Sequence, residues 1–306
     1  MLIALHSISA TLFYPFTPAG WQQVVSTSFS LSNINAIHYT AAENLYLTVG
    51  NSGKLATSLD TQNWTQRESN FNGDNIYCID YANGLYVIGG TSGKLATSPD
   101  GVNWTLRSSS FGASPILSIT YSPSAELWIA AGGSGKLATS PDGVNWTQRT
   151  SSFSTTFING LWSTNSITVA VGYDGKLATS VNGINWTQRS SSFGVSSIFA
   201  VTANQNGKFL ITGESGKFAD SVDGINWIQT FPTSTFGLST VRSVSISNDG
   251  AYIAAGNNGK LATSFDGVSW IQRVSSFANT DNIYGVFLDN DTALAVGTSG
   301  KIAYSV

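Results

Sequence analysis

The stretch Gly135-Lys136-Leu137-Ala138-Thr139-Ser140-Pro141-Asp142-Gly143-Val144-Asn145-Trp146-Thr147-Gln148-Arg149 decides the fold, because a chain of 306 residues carries it, whole or in part, seven times. The Gly-Lys pair recurs at Gly53-Lys54, Gly93-Lys94, Gly135-Lys136, Gly175-Lys176, Gly216-Lys217, Gly259-Lys260 and Gly300-Lys301, in steps of 40 to 43 residues. Eleven residues after each of the first six glycines stands a tryptophan, at 64, 104, 146, 186, 227 and 270. A gap that never changes marks a fixed structural unit, and the variable step places the slack in loops elsewhere. The seventh Gly-Lys has no tryptophan after it. Trp21, 43 residues before Trp64, supplies one from the other end of the chain.

Residues 113–152 show what one repeat contains. Pro115 to Ser122 reads as a short apolar strand and Ser122 to Glu126 as a turn, with a second strand over Leu127 to Gly133. The segment at Gly132 to Gly135 breaks it, Lys136 to Ser140 forms a third strand, Pro141-Asp142-Gly143 turns, and Asn145 to Arg149 forms a fourth. Four short antiparallel strands in about 40 residues make a propeller blade. The expected fold is therefore all-β: a seven-bladed β-propeller, four antiparallel strands per blade, the ring closed by the N-terminal strand pairing with the three C-terminal strands. The boundaries read as an apolar arm over 1–18 and one propeller over 19–306. Its blades run 30–71, 73–111, 113–153, 155–193, 195–236, 238–277, and 279–306 with 19–29.

The first strand of each repeat supports this independently. One column holds only small residues: Ala36, Cys78, Ser118, Gly160, Ala200, Ser243 and Gly285. Inner strands crowd round a propeller axis, so a small residue is sterically required there. Apolar columns flank it, from Ile34 to Ile283 on one side and from Ile37 to Val286 on the other. Their opposite parity along a regular strand predicts that both faces of each blade are buried.

Composition narrows the rest. Charged residues make up 10% of the chain, against about 25% in an average protein. Net charge is −3, with 14 basic residues, which offers no footprint for nucleic acid. Cys78, the one cysteine, excludes an internal disulfide and reads as a small buried filler. No metal site and no cofactor is expected. No run reaches the ~18 apolar residues of a membrane span. The start, Met1 to Phe16, is apolar but lacks a basic leader region, and reads as an arm that packs on its own domain or on a partner.

The turn between the third and fourth strands reads Ser-x-Asp-Gly-x-x-Trp at Ser98 to Trp104, Ser140 to Trp146, Ser221 to Trp227 and Ser264 to Trp270. Asn182 replaces the aspartate in one repeat, and Asp60-Thr61 lacks the glycine in another. The carboxylate suits turn amides, glycine relieves a positive φ, and the tryptophan pins the turn. The motif resembles the Asp-box, or BNR, repeat of sialidases, sortilin-type receptors, xyloglucanases and photosystem II assembly factors, with a Ser-to-Trp interval one residue shorter than the sialidase form. The resemblance spans Trp21 to Val306 and implies the propeller fold. The near-verbatim tandem repeats look like those of phage-tail and bacterial surface propellers. Asn-Trp-Thr sequons at Asn63, Asn103, Asn145 and Asn185 read as by-products of the repeat.

Catalysis is not the expected role. The resemblance implies an arginine triad for a sialidase, but Arg67, Arg107, Arg149, Arg189 and Arg273 share one outer-strand column, and Arg242 alone lies off it. Asp74, Asp80, Glu126, Asp174, Glu214 and Asp281 are unpatterned acids from which a glycosidase pair would be drawn, and read as solvated loop charges. His6 and His38 are isolated. Two sets of residues are candidates for ligand binding on the face carrying the loops between strands two and three and between blades. One is the lysine ring: Lys54, Lys94, Lys136, Lys176, Lys217, Lys260 and Lys301. Its bland reading is a stem laid on a neighbouring indole with the ammonium on a carbonyl or in solvent. The other is the irregular inner-strand column: Asn35, Tyr77, Leu117, Asn159, Phe199, Arg242 and Tyr284, whose aromatics and amides suit sugars. The expected function is a non-catalytic module that binds a glycan or cell-surface receptor as part of a virion tail or bacterial surface. The alternative is a scaffold docking a partner protein through residues 1–18, and a glycoside hydrolase ranks below both.

Overall fold

The computed structural model describes residues 20–24, 27–204, 206–230, 235–247, 249–289 and 292–305. The arm over 1–18, with His6, lies outside the described residues. The described chain forms seven four-stranded antiparallel sheets. Six follow the chain in order. Blade 1, for instance, uses Ile34–Thr40, Leu45–Gly50, Lys54–Ser58 and Thr65–Glu68. The seventh takes Ile283–Leu288, Ala293–Gly297 and Ile302–Ser305 and completes itself with Trp21–Gln23. Trp21 lies opposite Ser305 and Gln23 opposite Ala303, so the ring closes where the repeat count required it.

Strands two and three meet in a two-residue hairpin. In blade 1, Ser52 (φ 59°) and Gly53 (φ 66°) both take the left-handed region, and the Lys54 N–H donates to Asn51 O. That is a type I′ turn, whose twist matches the flanking strands. A side chain at the second position would clash: a Cβ on Gly135 would stand 2.0 Å from the Ser154 carbonyl oxygen.

The inner strands depart from the regular pattern in one way. Every one has a register shift between its first and third residues, at Ile34/Ala36, Ile76/Cys78, Ile116/Ser118, Ile158/Gly160, Ile198/Ala200, Val241/Ser243 and Ile283/Gly285. The irregular column is thus a ring of β-bulges. This corrects the parity argument. With one extra residue inserted, Ile34 and Ile37 point to the same side and pack with Leu294, Val296 and Ile302 of blade 7. Ala36 points the other way, toward Ile76 and Ile79 of blade 2. Both blade faces are buried, but the second is covered by the small column and by strands two and three.

Seven apolar clusters result, one at each blade junction. The small column earns its size there: a Cβ on Gly285 would stand 3.4 Å from the Cα of Ala36 in the next blade. Cys78 is buried in the same column, and burial pushes its thiol pKa up, so it stays protonated.

A phenylalanine column completes each junction: Phe29, Phe71, Phe111, Phe153, Phe193, Phe236 and Phe277, none more than 7% exposed. These residues sit in the linkers between blades. Ser69 Oγ donates to Gly53 O (2.6 Å), tying the first linker to the blade it leaves, and Phe71 enters the core of the blade it joins.

Candidate functional site

Each lysine of the ring reaches back to a linker. Lys54 Nζ donates to Phe29 O (2.7 Å), Lys94 to Phe71 O (2.8 Å), Lys136 to Phe111 O (2.6 Å) and Lys260 to Phe236 O (2.7 Å). Lys176 and Lys217 do the same and add the hydroxyls of Thr156 and Ser196. Lys301 instead meets the Asp281 carboxylate, and Lys94 also pairs with Asp74 (2.6 Å). The ammoniums hold the linkers in place. The stems do not cover indoles, because the tryptophans stand at the turns on the opposite face.

On that opposite face the Asp turns follow the expected logic. Asp142 Oδ1 accepts from the N–H groups of Val144 (2.9 Å) and Asn145 (2.8 Å) and from Ser140 Oγ (2.9 Å), while Trp146 Nε1 donates to Gly143 O (3.0 Å). Asn145 spends its side-chain amide on Asp142 Oδ2 (2.7 Å). The donors hold the carboxyls low. Asp60 sits at about 2, chiefly through the Asn63 side-chain amide, and Asp142 is driven further down, chiefly by the Asn145 N–H. Asn182 accepts the equivalent N–H bonds without a charge.

The bulge column surrounds the mouth of the axial channel on the linker face, and all seven of its residues are half-buried. Its two asparagines bridge blades: Asn35 Nδ2 donates to Ile76 O (2.8 Å) and Asn159 Nδ2 to Ile198 O (2.9 Å). Tyr77 OH accepts weakly from Asn75 (3.4 Å). The other side of the mouth is an aromatic arc. Phe157 stacks on Tyr173 (5.4 Å), and Tyr173 meets Phe199 edge-on (6.0 Å). Arg242 lies between Phe199 and Tyr284, its Cζ 5.4 and 5.5 Å from their ring centres. Arg242 Nε donates to Asn257 Oδ1 (2.5 Å). Phe157, Tyr173 and Asn257 escaped the sequence reading. Tyr173 and Asn257 stand in turns and Phe157 in the linker just before an inner strand, and their neighbours become visible only once the bulge places the inner column beside them.

Asn159, Phe199 and Arg242 also line a channel cavity of ≈ 420 Å³ to which all seven inner strands contribute. His38 and Asp80 face each other in its wall, Nδ1 to Oδ1 3.9 Å. Asp80 is a correction: it is no solvated loop charge. Its carboxylate accepts from the N–H of Tyr81 (2.9 Å) and of Tyr121 in the next blade (3.0 Å). Desolvation raises its pKa to about 7 and lowers that of His38 to about 4. Asp74 and Asp281 are ion-paired to ring lysines, and Glu214 accepts from Ser197 N (2.9 Å). Asp174 is the first left-handed residue of its type I′ turn, and Glu126 also has positive φ. The patterned arginines are spent on their own sheets: Arg149 Nε donates to Thr139 Oγ1 (2.8 Å), with the same bond at Arg67, Arg107, Arg189 and Arg273. Among the described residues no cluster of three or more His, Cys, Asp or Glu side chains could hold a metal ion, and no helix is long and apolar enough to cross a membrane.

The small net charge conceals a polarity. On the linker face the seven ring lysines and Arg242 outnumber five acids, Glu68, Asp74, Asp174, Glu214 and Asp281. Among the described residues the opposite face carries the five turn aspartates and Glu43, Glu126, Asp249 and Asp289, against Lys208. The mouth therefore opens on the basic side of the ring.

Comparison with known proteins agrees on architecture. YCF48 from Cyanidioschyzon merolae superposes with a TM-score of 0.73 at 18% identity, over 94% of this chain and 98% of that one. YCF48 bound to D1 peptide gives 0.74 at 17%, over 95% and 96%. Virginiamycin B lyase from Staphylococcus aureus gives 0.80 at 8%, over 93% and 98%. Identities this low speak for the fold alone. No family model matches the sequence, that of the Asp-box repeat included, and no curated protein matches it.

Proposed function

We propose that the protein is a non-catalytic recognition module, carried on a virion tail or a bacterial surface, that binds a glycan at the channel mouth on its linker face. The observation that carries this reading is the bulge column. Its seven positions are the ones the repeat does not dictate, and they hold two amides, a cation and three aromatic rings. Rings with amides beside them are the usual furniture of a sugar site. The non-catalytic reading is supported by the five arginines tied to threonines and by acids occupied by turns, by lysines or, at Asp80 and Glu214, by backbone N–H groups.

Binding to a panel of immobilised bacterial polysaccharides tests it. Saturable binding that disappears in Tyr173→Ala, with the melting curve retained, is expected. A panel without a single ligand, or binding indifferent to the mouth, overturns it. A second reading, a protein-docking scaffold, is favoured by one observation: a propeller of the same fold, YCF48, has been captured with a peptide bound. Recovery of a protein partner through the same face, with no glycan bound, would decide for it.

A further inference from the structure

Arg242 stands apart from every other arginine. The other five lie on outer strands with Nε on a threonine of their own sheet. Arg242 occupies a bulge on an inner strand, where the side chain is turned toward the mouth. Its guanidinium lies over two rings, Phe199 of the preceding blade and Tyr284 of the following one, with Cζ 5.4 and 5.5 Å from their centres. Asn257 Oδ1 fixes Nε, and with it the rotation of the fork. The two terminal nitrogens accept no such tether: among the described residues no carboxylate lies within 4.0 Å, and Asn257 is the only hydrogen-bond partner.

A half-buried guanidinium without a counter-ion is costly to keep. A planar cation already stripped of rotamer freedom, its paired N–H groups unspent, matches a carboxylate in bidentate geometry. The surrounding field has the right sign, because the face as a whole is basic. On the far side of Phe199 from the fork, Tyr173 is 39% exposed and lies stacked on Phe157, and the pair presents a flat apolar surface two blades away from Arg242. An oxyanion seat, a stacking platform and amides at Asn159 and Asn257 are the complement of a sugar ring that bears a carboxylate.

Resting on the reading above, we propose that the ligand is an acidic glycan and that Arg242 is the residue that takes its carboxylate. The test is calorimetric titration of the full chain with three carboxylated oligosaccharides, an oligogalacturonate, a hyaluronan oligomer and a sialylated lactose. Each is paired with its own methyl ester, and a poly-glutamate peptide is run alongside. At least one acid should bind about tenfold or more tightly than its ester, the worth of one charge-assisted contact. Arg242→Gln should remove that preference, and Arg242→Lys should restore only part of it, with thermal melts confirming both variants folded. The ester comparison needs no variant and stands even if Arg242→Gln does not fold. No preference for the acid in any pair overturns the proposal, as does an acid preference that survives Arg242→Gln, or poly-glutamate bound as tightly as the best sugar. Neutral glycans bound at the mouth without acid preference would overturn this assignment and leave the recognition reading standing.

Discussion

The ammonium of Lys136 sits 2.6 Å from the carbonyl oxygen of Phe111, and so joins the third strand of one blade to the linker that enters it. Six of the seven ring lysines make this bond, Lys301 using the Asp281 carboxylate instead, and each contact fastens the segment where the chain passes from blade to blade. Lys136→Met keeps most of the stem and removes the donor. It should cost about 1.5–3 kcal/mol, the usual worth of a hydrogen bond to a charged group. Lys136→Met with Lys260→Met, on well-separated blades, should be close to additive. Denaturant midpoints of the two singles and the double check both statements.

Thr61 takes the glycine position of its Asp turn with φ 67°, a conformation that a β-branched residue adopts only under strain. Thr61→Gly should stabilise the ring by about 0.5–1 kcal/mol, strain relief outweighing the added freedom of the unfolded chain. The reverse change fails for two reasons. Gly143 has φ 71°, and a Cβ there would stand 2.6 Å from Leu85 Cδ2, so Gly143→Thr should destabilise by about 2 kcal/mol or more. Paired thermal melts give both signs.

Asn182 shows that an uncharged oxygen can organise the turn. Asp142→Asn should therefore be mild, and Asp142→Ala should lose about 1 kcal/mol through its two backbone donors. Acid should expose the same bonds. The turn carboxyls titrate lower in the fold than in the unfolded chain, so their stabilisation is complete above pH ~4 and is lost as pH falls toward 2, where Asp60 titrates. Urea melts between pH 5 and pH 2 should show a smaller acid loss for Asp142→Asn than for the parent.

Asp80 has the opposite sign. Its folded pKa of about 7 lies above the unfolded value, so the protonated acid is favoured in the fold, and the relative stability it confers is complete below pH ~4 and lost as pH rises to about 7. His38, its neighbour in the channel wall on the adjacent blade, is neutral above about pH 4 and offers no compensating charge. Asp80→Asn should match the parent at pH 4 and melt at a higher temperature at pH 8. A variant less stable than the parent at pH 8 would show an ionised Asp80 to be welcome there.

Trp21–Gln23 is the outer strand of blade 7, and Trp21 packs against the junction with blade 6. Deleting residues 1–24 leaves Ile302–Ser305 as a bare edge. The expected result is a melting midpoint lowered by roughly 5–15 °C and self-association through that edge, visible by light scattering. A peptide of residues 20–30 should reverse both.

Much of this architecture could be read directly from the chain, because a repeated turn needs repeated residues. The invariant spacing from Gly-Lys to tryptophan is the length of one hairpin, and Trp21 announced the borrowed strand. The bulges were harder. Asn35, Phe199 and Arg242 share no side-chain chemistry, since a bulged residue aimed at an open mouth is under no packing constraint. The signal was present as apolar residues three apart, Ile34 and Ile37, flanking a small one, a spacing that a regular strand cannot place on one face. The lysines were half legible: an ammonium resting on a carbonyl was expected and is found, but the stems lie on no indole, and the carbonyls some 23 to 25 residues away carry no side-chain signature that would have named them. Charge polarity was hidden by cancellation between two faces, and the sandwich around Arg242 joins three blades that no local motif connects.

The composite blade also makes the molecule indifferent to where its backbone is cut. Ser305 and Trp21 occupy the places that Ser140 and Trp146 hold in blade 3, and five residues, Pro141 to Asn145, span that gap. A tether of Pro-Asp-Gly-Val-Asn between Ser305 and Trp21 would turn the ring into an endless loop. Circular permutants opened at any of the six native turns, five built on Asp and one on Asn182, would then share one topology, each with its own clasp.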